Sequence, residues 1–211
     1  MTTKFLIREL LMRFLTPIVS YVGKIKSPWS HKKAISDFYT ILGTLKPLDI
    51  ILTNTYGHLS NLMNPGPWKH ALIYIGEENG VPMIIEAIGE GVLKRTLVEC
   101  IAEKDSVAIV RVNQNIVPAK QNKAIKWAHN QLGKHYDHSF DMRSVNKLES
   151  FFCSELCFFV LKEAGININF ELRQTVVGYP TVVPSDFYYA AKSKKMKILF
   201  ETASKKTKVK K

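Results

Sequence analysis

Two short stretches of the sequence hold residue types that could do chemistry together. In FFCSEL (151–156), Cys153 stands at the front of a helical pattern that closes at Gly165. A sulfur placed there meets unpaired backbone N–H groups and the positive end of the helix dipole, and both favour an anion. Thiolate is the reactive form of cysteine, and a neighbouring histidine lowers the thiol pKa further. The backbone N–H of Cys153 would then be available to a developing oxyanion. Packing offers a second reading, because cysteine is among the most often buried residues and Phe151, Phe152 and Phe158 stand alongside. Cys157, one turn further on, reads as core.

The second stretch is HALIYIGEENGVPMIIEA (70–87), two β-type runs around an Asn-Gly pair. A register that sets His70 directly across from Glu86 centres the turn on Glu78, pairs Ile75 with Val81 and leaves a loop from Gly76 to Gly80. The two Cβ atoms would then lie roughly 4.5 to 5.5 Å apart on one sheet face. A bulge of one residue would undo the arrangement. An imidazole fixed by a carboxylate on one nitrogen presents the other as a base, the orienting half of a catalytic triad. The same residues could also be an exposed cross-strand pair on a wet face. A zinc site can be drawn with nearly the same atoms, from Cys153 and Cys157 with His135 and His138 of HYDH, but the spacing is unusual for a zinc module. No metal and no cofactor is expected.

The elements that must position these residues follow from the wider pattern. At 211 residues, 46% hydrophobic and 23% charged, the chain has room for one domain with a sizeable core. The net charge of +12 is segregated: residues 1–46 hold 8 basic and 2 acidic groups, residues 47–191 hold 13 and 15, and residues 192–211 hold 9 and 1. A nucleic-acid-binding domain would carry its basic patch on the folded body. Basic flanks suit an anionic membrane surface instead, so peripheral contact through residues 1–26 and 192–211 is expected, with no specific nucleic acid. Ile7, Leu10, Leu11, Phe14, Leu15, Ile18 and Val22 follow one helical face, while Arg8, Glu9 and Arg13 interrupt any spanning run. Three cysteines are too few for a disulfide scaffold, and nothing resembles a cleaved secretion signal. The chain reads as cytoplasmic, peripheral at the membrane.

A second helix is expected from Trp29 to Leu42, ended by Gly43. Short β-type runs follow at 48–53, 70–75, 81–87, 91–93 and 107–112, with a long Asn-, Gly- and Pro-rich connection after the first. Helices return over PAKQNKAIKWAHNQLG, closed by Gly133, and CSELCFFVLKEAG, closed by Gly165. The fold class is α+β: a small antiparallel sheet packed against helices.

Taken in order, KPLDIILTN, WKHALIYIG, MIIEAIGEGV, WAHNQLGKHYDHSFD, FFCSEL and VVPSDF resemble the circularly permuted papain-like amidases of the YaeF/YiiX group. That group is related to the NlpC-type cell-wall peptidases and, more distantly, to the lecithin retinol acyltransferases. The resemblance implies a permuted papain-like half-barrel over 47–191, with 1–46 as an N-terminal amphipathic helical extension and 192–211 as a basic tail. It implies Cys153 as nucleophile, His70 as general base and acid, Glu86 as its orienting partner, and Tyr136 lining the site near the oxyanion. The expected function is a cysteine-dependent hydrolase of a peptide, a cell-wall peptide or an acyl-lipid. A membrane-surface binding module without catalysis and a zinc-stapled domain are the alternatives. One departure stands out: the family's Pro-Gly-Asp opening is Pro47-Leu48-Asp49 here, so the tight glycine turn is expected to be lost.

Overall fold

The computed structural model describes residues 37–56, 65–142, 149–170, 172–174 and 180–202. The N-terminal apolar face, the first part of the second expected helix, half of the long Asn-rich connection and the KKTKVKK end lie outside the described residues. Six strands form one antiparallel sheet in the order β10-β5-β1-β2-β3-β4. They are β1 (Ile50–Asn54), β2 (His70–Glu78), β3 (Val81–Ile88), β4 (Gly91–Thr96), β5 (Ser106–Val112) and β10 (Met196–Glu201); the short strands β6 (His135–Tyr136), β7 (Ser150–Phe151), β8 (Arg173–Gln174) and β9 (Pro180–Thr181) pair outside this sheet. Central β1 is buried at every position, so Ile-Ile-Leu reads as one unbroken apolar run. Alternate residues serve two cores. Ile50, Leu52, Ala71, Ile73, Ile85 and Val110 pack under the helices α3 (Pro118–His129), α4 (Cys153–Glu163) and α5 (Pro184–Lys192). Ile51, Leu72, Tyr74, Ile84 and Ile109 face α1 (Phe38–Thr44) and α2 (Leu97–Ile101).

The β2–β3 register differs from the expected one in two ways that compensate. Asn79 and Gly80 adopt φ of 53° and 77°, so they alone make the turn, and Glu78 pairs with Val81. Two consecutive left-handed residues give a tight hairpin turn whose twist matches the strands. Carried back unbroken, that register would set His70 across from Gly89, an odd offset from Glu86 that puts the two side chains on opposite faces. The ladder shifts by one between Tyr74 and Gly76, and Ile73 then faces Ile85. Continuing from there, Leu72 faces Glu86, and His70 lies on the same face along the diagonal. The bulge therefore creates the shared face that direct pairing was expected to supply.

Three further differences have local causes. The helix expected to stop at Gly43 runs through it to Thr44. Met196–Glu201, assigned by sequence to a basic tail, pairs with β5 and extends the sheet, with Met196 buried and Lys197 exposed. The sheet-bound part of the chain thus passes the 191 boundary, and Ile41 of α1 enters the second core below the 47 boundary. Leu48, where the family has glycine, keeps the left-handed conformation at φ 73° while its side chain is buried. The turn survives there at the cost of strain on a bulky residue.

Candidate active site

Each site residue is fixed by its own element. His70 opens β2, where Lys69 N–H donates to the Thr53 carbonyl at 3.0 Å. Just before it, the Ser185 hydroxyl of α5 accepts from the Trp68 N–H at 3.0 Å and donates to the Trp68 carbonyl at 3.1 Å. Ser185 and Asp186 of VVPSDF are therefore structural: Asp186 accepts from the Val183 N–H at 2.8 Å and from Arg173 Nε at 2.6 Å.

Cys153 is the first residue of α4 and is 4% exposed. The strand before it, β7 (Ser150–Phe151), runs parallel to β6 (His135–Tyr136), which sets Tyr136 level with Phe151. That segment is anchored to β4 at Gly91, where a Cβ would meet the Lys134 carbonyl oxygen at 2.5 Å, so only glycine fits. The Ser154 hydroxyl donates to the Val182 carbonyl at 2.7 Å, tying the front of α4 to the segment before α5. Glu155 accepts from the Phe152 N–H at 3.3 Å, the carboxylate half of a capping box. Burial, with Asp137 and Asp141 nearby, pushes its carboxyl up to about 8, so much of it is neutral at pH 7.

His70 Nε2 lies 2.6 Å from Glu86 Oε2. The remaining nitrogen, Nδ1, is the one left for Cys153, whose sulfur is hydrogen-bonded to the imidazole. Burial opposes charge on both groups, yet each is moved toward its ionised form. The thiol is lowered because the imidazolium charge and bond, with the Ala71 and Ser154 N–H groups, outweigh desolvation. His70 is raised to about 9 by Cys153 and Glu86 against the same desolvation. Glu86, 3% exposed, is held down at about 2 chiefly by its bond to His70. Each group thus favours the charged form of the other, so the site is biased toward a thiolate–imidazolium pair backed by a carboxylate. Burial and the Cys153 charge hold the Tyr136 phenol well above its usual value, so it remains a donor beside the sulfur.

Cys153, His70, Glu86 and Tyr136 come together. Cys157 does not join them: it is fully buried in the main core and its thiol is pushed well above the usual range by burial and the Cys153 charge. The zinc set does not assemble, since no group of three or more His, Cys, Asp or Glu side chains among the described residues could hold a metal ion. Sequence reasoning missed two partners of Glu86: Arg95 Nη1 donates to Oε1 at 3.0 Å, and the Cys100 thiol donates to the same oxygen at 3.3 Å. The Thr96-Leu-Val-Glu99 capping signature marks the short helix that carries Cys100 and could have pointed to it.

No helix among the described residues is long and apolar enough to cross a membrane. No curated protein matches the chain. A crystal structure of the metalloprotein yiiX from Escherichia coli O157:H7 is similar to it with a TM-score of 0.62 and 18% identity, covering 76% of this chain and 99% of that one. That likeness shows the fold. A sequence model of the permuted papain-like amidase enzymes, YaeF/YiiX, C92 family, matches residues 44–197. The chain therefore belongs to the permuted papain-like amidase family, and with it to the cysteine hydrolases.

Proposed function

We propose that the chain cleaves amide-type bonds through Cys153, His70 and Glu86 by way of a thioester acyl-enzyme. The observation that carries the reading is the imidazole of His70 engaged on both sides, by Glu86 Oε2 at 2.6 Å and by the Cys153 sulfur. The thiolate attacks the substrate carbonyl carbon, and the oxyanion that forms is met by the Cys153 N–H at the helix front and by the Tyr136 hydroxyl. Collapse breaks the bond to the leaving amine, which takes its proton from the His70 imidazolium. The neutral imidazole then removes a proton from water, the hydroxide adds to the thioester, and the acid product leaves as thiolate and imidazolium re-form. The substrates this chemistry suits are a peptide or cell-wall peptide amide, or an acyl-lipid presented at a surface.

The test is acyl-enzyme trapping with p-nitrophenyl acetate. A burst of nitrophenol with one acetyl group mapped to Cys153 by mass spectrometry is the expected result. Cys153→Ala removes it, and His70→Ala slows it by on the order of hundreds. Acetylation confined to surface lysines would contradict the reading.

The segregated charge supports a second property, peripheral contact with an anionic membrane through residues 1–26 and 192–211. Phosphatidylserine vesicles should pull the protein down at low salt, and removal of residues 203–211 should weaken that binding. A binding module without catalysis would behave the same way with an inert Cys153.

A further inference from the structure

Only one oxygen of Glu86 meets His70. A carboxylate turns easily about its last torsion, which is broad for glutamate, so a single bond to an imidazole does not fix it. Here the other oxygen, Oε1, is held by two donors from two other elements. Arg95 lies on β4 across from Ile84, and Leu93 is across from Glu86, so the guanidinium reaches Oε1 along the diagonal at 3.0 Å. Cys100 comes from α2, is 2% exposed, and its thiol reaches Oε1 at 3.3 Å. Burial and the adjacent Glu86 keep that thiol well above its usual range, so it stays protonated and remains a donor wherever the site works. The α2 helix is itself set by the Thr96–Glu99 capping box, where the Thr96 N–H donates to Glu99 Oε2 at 2.9 Å.

We infer that Arg95 and Cys100 are positioning residues that hold Glu86 Oε1 so that Oε2 stays on His70, and thereby set how readily Cys153 ionises. The inference rests on the reading of Cys153 and His70 given above. Loosening Glu86 takes stabilisation from the imidazolium, and a weaker imidazolium leaves the thiolate less favoured, so the Cys153 ionisation must move to higher pH. Other groups around the chain do not blur this. Tyr136 and Cys157 beside the sulfur are both pushed well above their usual values and stay protonated. Asp137 and Glu155 act on Tyr136, Glu155 itself titrating near 8, and Glu99 and Lys104 act on Arg95 and Cys100; the variants below leave all four in place, so they bear on wild type and variant alike.

The experiment is iodoacetamide alkylation of Cys153 as a function of pH, read by site-resolved mass spectrometry on the full chain. Wild type is compared with Arg95→Gln, Arg95→Lys, Cys100→Ala, Cys100→Ser, the Arg95→Gln/Cys100→Ala pair and His70→Ala. The midpoint should rise by up to about one unit in Arg95→Gln and Cys100→Ala, making alkylation near pH 6 up to roughly ten-fold slower. The double variant should move further. Arg95→Lys and Cys100→Ser, which restore a donor, should return it close to wild type. Melting by circular dichroism separates a purely structural role, which lowers stability without moving the midpoint. Should the double variant not fold, the single variants and their conservative partners carry the same comparison. A midpoint that stays in place in folded Arg95→Gln and Cys100→Ala, or that moves to lower pH, overturns the inference. If Cys153 in His70→Ala reacts as fast as in wild type, the underlying reading fails instead.

Discussion

Cys153 and Cys157 are one helical turn apart on α4, both buried, and their thiols are driven in opposite directions. Burial pushes both toward the neutral form. At Cys153 that push is overcome by the His70 charge and by N–H groups of Ala71 and Ser154. At Cys157 only a backbone hydrogen bond opposes it, too weakly to matter, and the nearby Cys153 and Glu86 charges add to it. The difference between a nucleophile and a core residue is therefore not burial or residue type but one turn of helix, which decides whether the sulfur faces a histidine or the sheet.

The largest expected consequence separates the pair directly. Cys153→Ala should abolish turnover of any acyl substrate while leaving the circular dichroism spectrum and melting temperature near wild type. Cys157→Ala should keep full acylation of Cys153 and lose about 1 kcal/mol of stability at most, since little volume is removed from the core. Equal loss of activity in the two would break the comparison.

A smaller effect follows from replacing the orienting carboxylate. Glu86→Gln keeps the shape but removes the charge that holds the imidazolium, and the acylation rate should fall by on the order of ten- to a hundred-fold. His70 should then titrate below its wild-type value of about 9, which histidine NMR would register.

The pH profile sharpens the same point. Acylation should have an acid limb below the ordinary thiol range, from Cys153, and an alkaline limb near 9, from His70. The stability contribution of His70, raised from 6.5, is complete below 6.5 and is lost as pH rises through about 9. Glu86, lowered from 4.5 to about 2, contributes above 4.5, and that contribution is lost as pH falls through about 2. Thermal melts across pH would test both signs.

The smallest effect concerns the strap that aims His70. Ser185→Ala leaves a buried N–H and carbonyl of Trp68 without their hydroxyl partner, and should cost about 1 to 3 kcal/mol by urea unfolding. Cys153 reactivity should drop only slightly, because the strap acts through the backbone before His70 and not on the imidazole.

Much of this architecture was readable because it repeats simple rules. The apolar run of β1 signals a strand buried on both faces, Gly165 closes its helix at φ 78°, and Cys153 stands at a helix front as its context implied. The helix expected to close at Gly133 stops earlier, at His129. What was not readable depends on cancellation or on partners distant in sequence. The His70–Glu86 face depends on the Ile75 bulge offsetting a two-residue turn, and neither shift alone can be weighed from residue types. β10 holds Lys197 and follows directly on Lys192, Lys194 and Lys195 in the basic stretch, so its alternation of buried Met196 and exposed Lys197 looks like tail. Arg95 and Cys100 reach Glu86 from a neighbouring strand and a five-residue helix, a convergence that only the folded sheet creates.

The measurement that bears most directly on the central claim is the relative iodoacetamide rate at Cys153, Cys157 and Cys100 near pH 6.5, in wild type and in His70→Ala. Cys153 should react at least about ten-fold faster than the other two in wild type, and His70→Ala should erase that advantage. A Cys153 no faster than Cys157, or one whose rate ignores the loss of His70, would contradict the account.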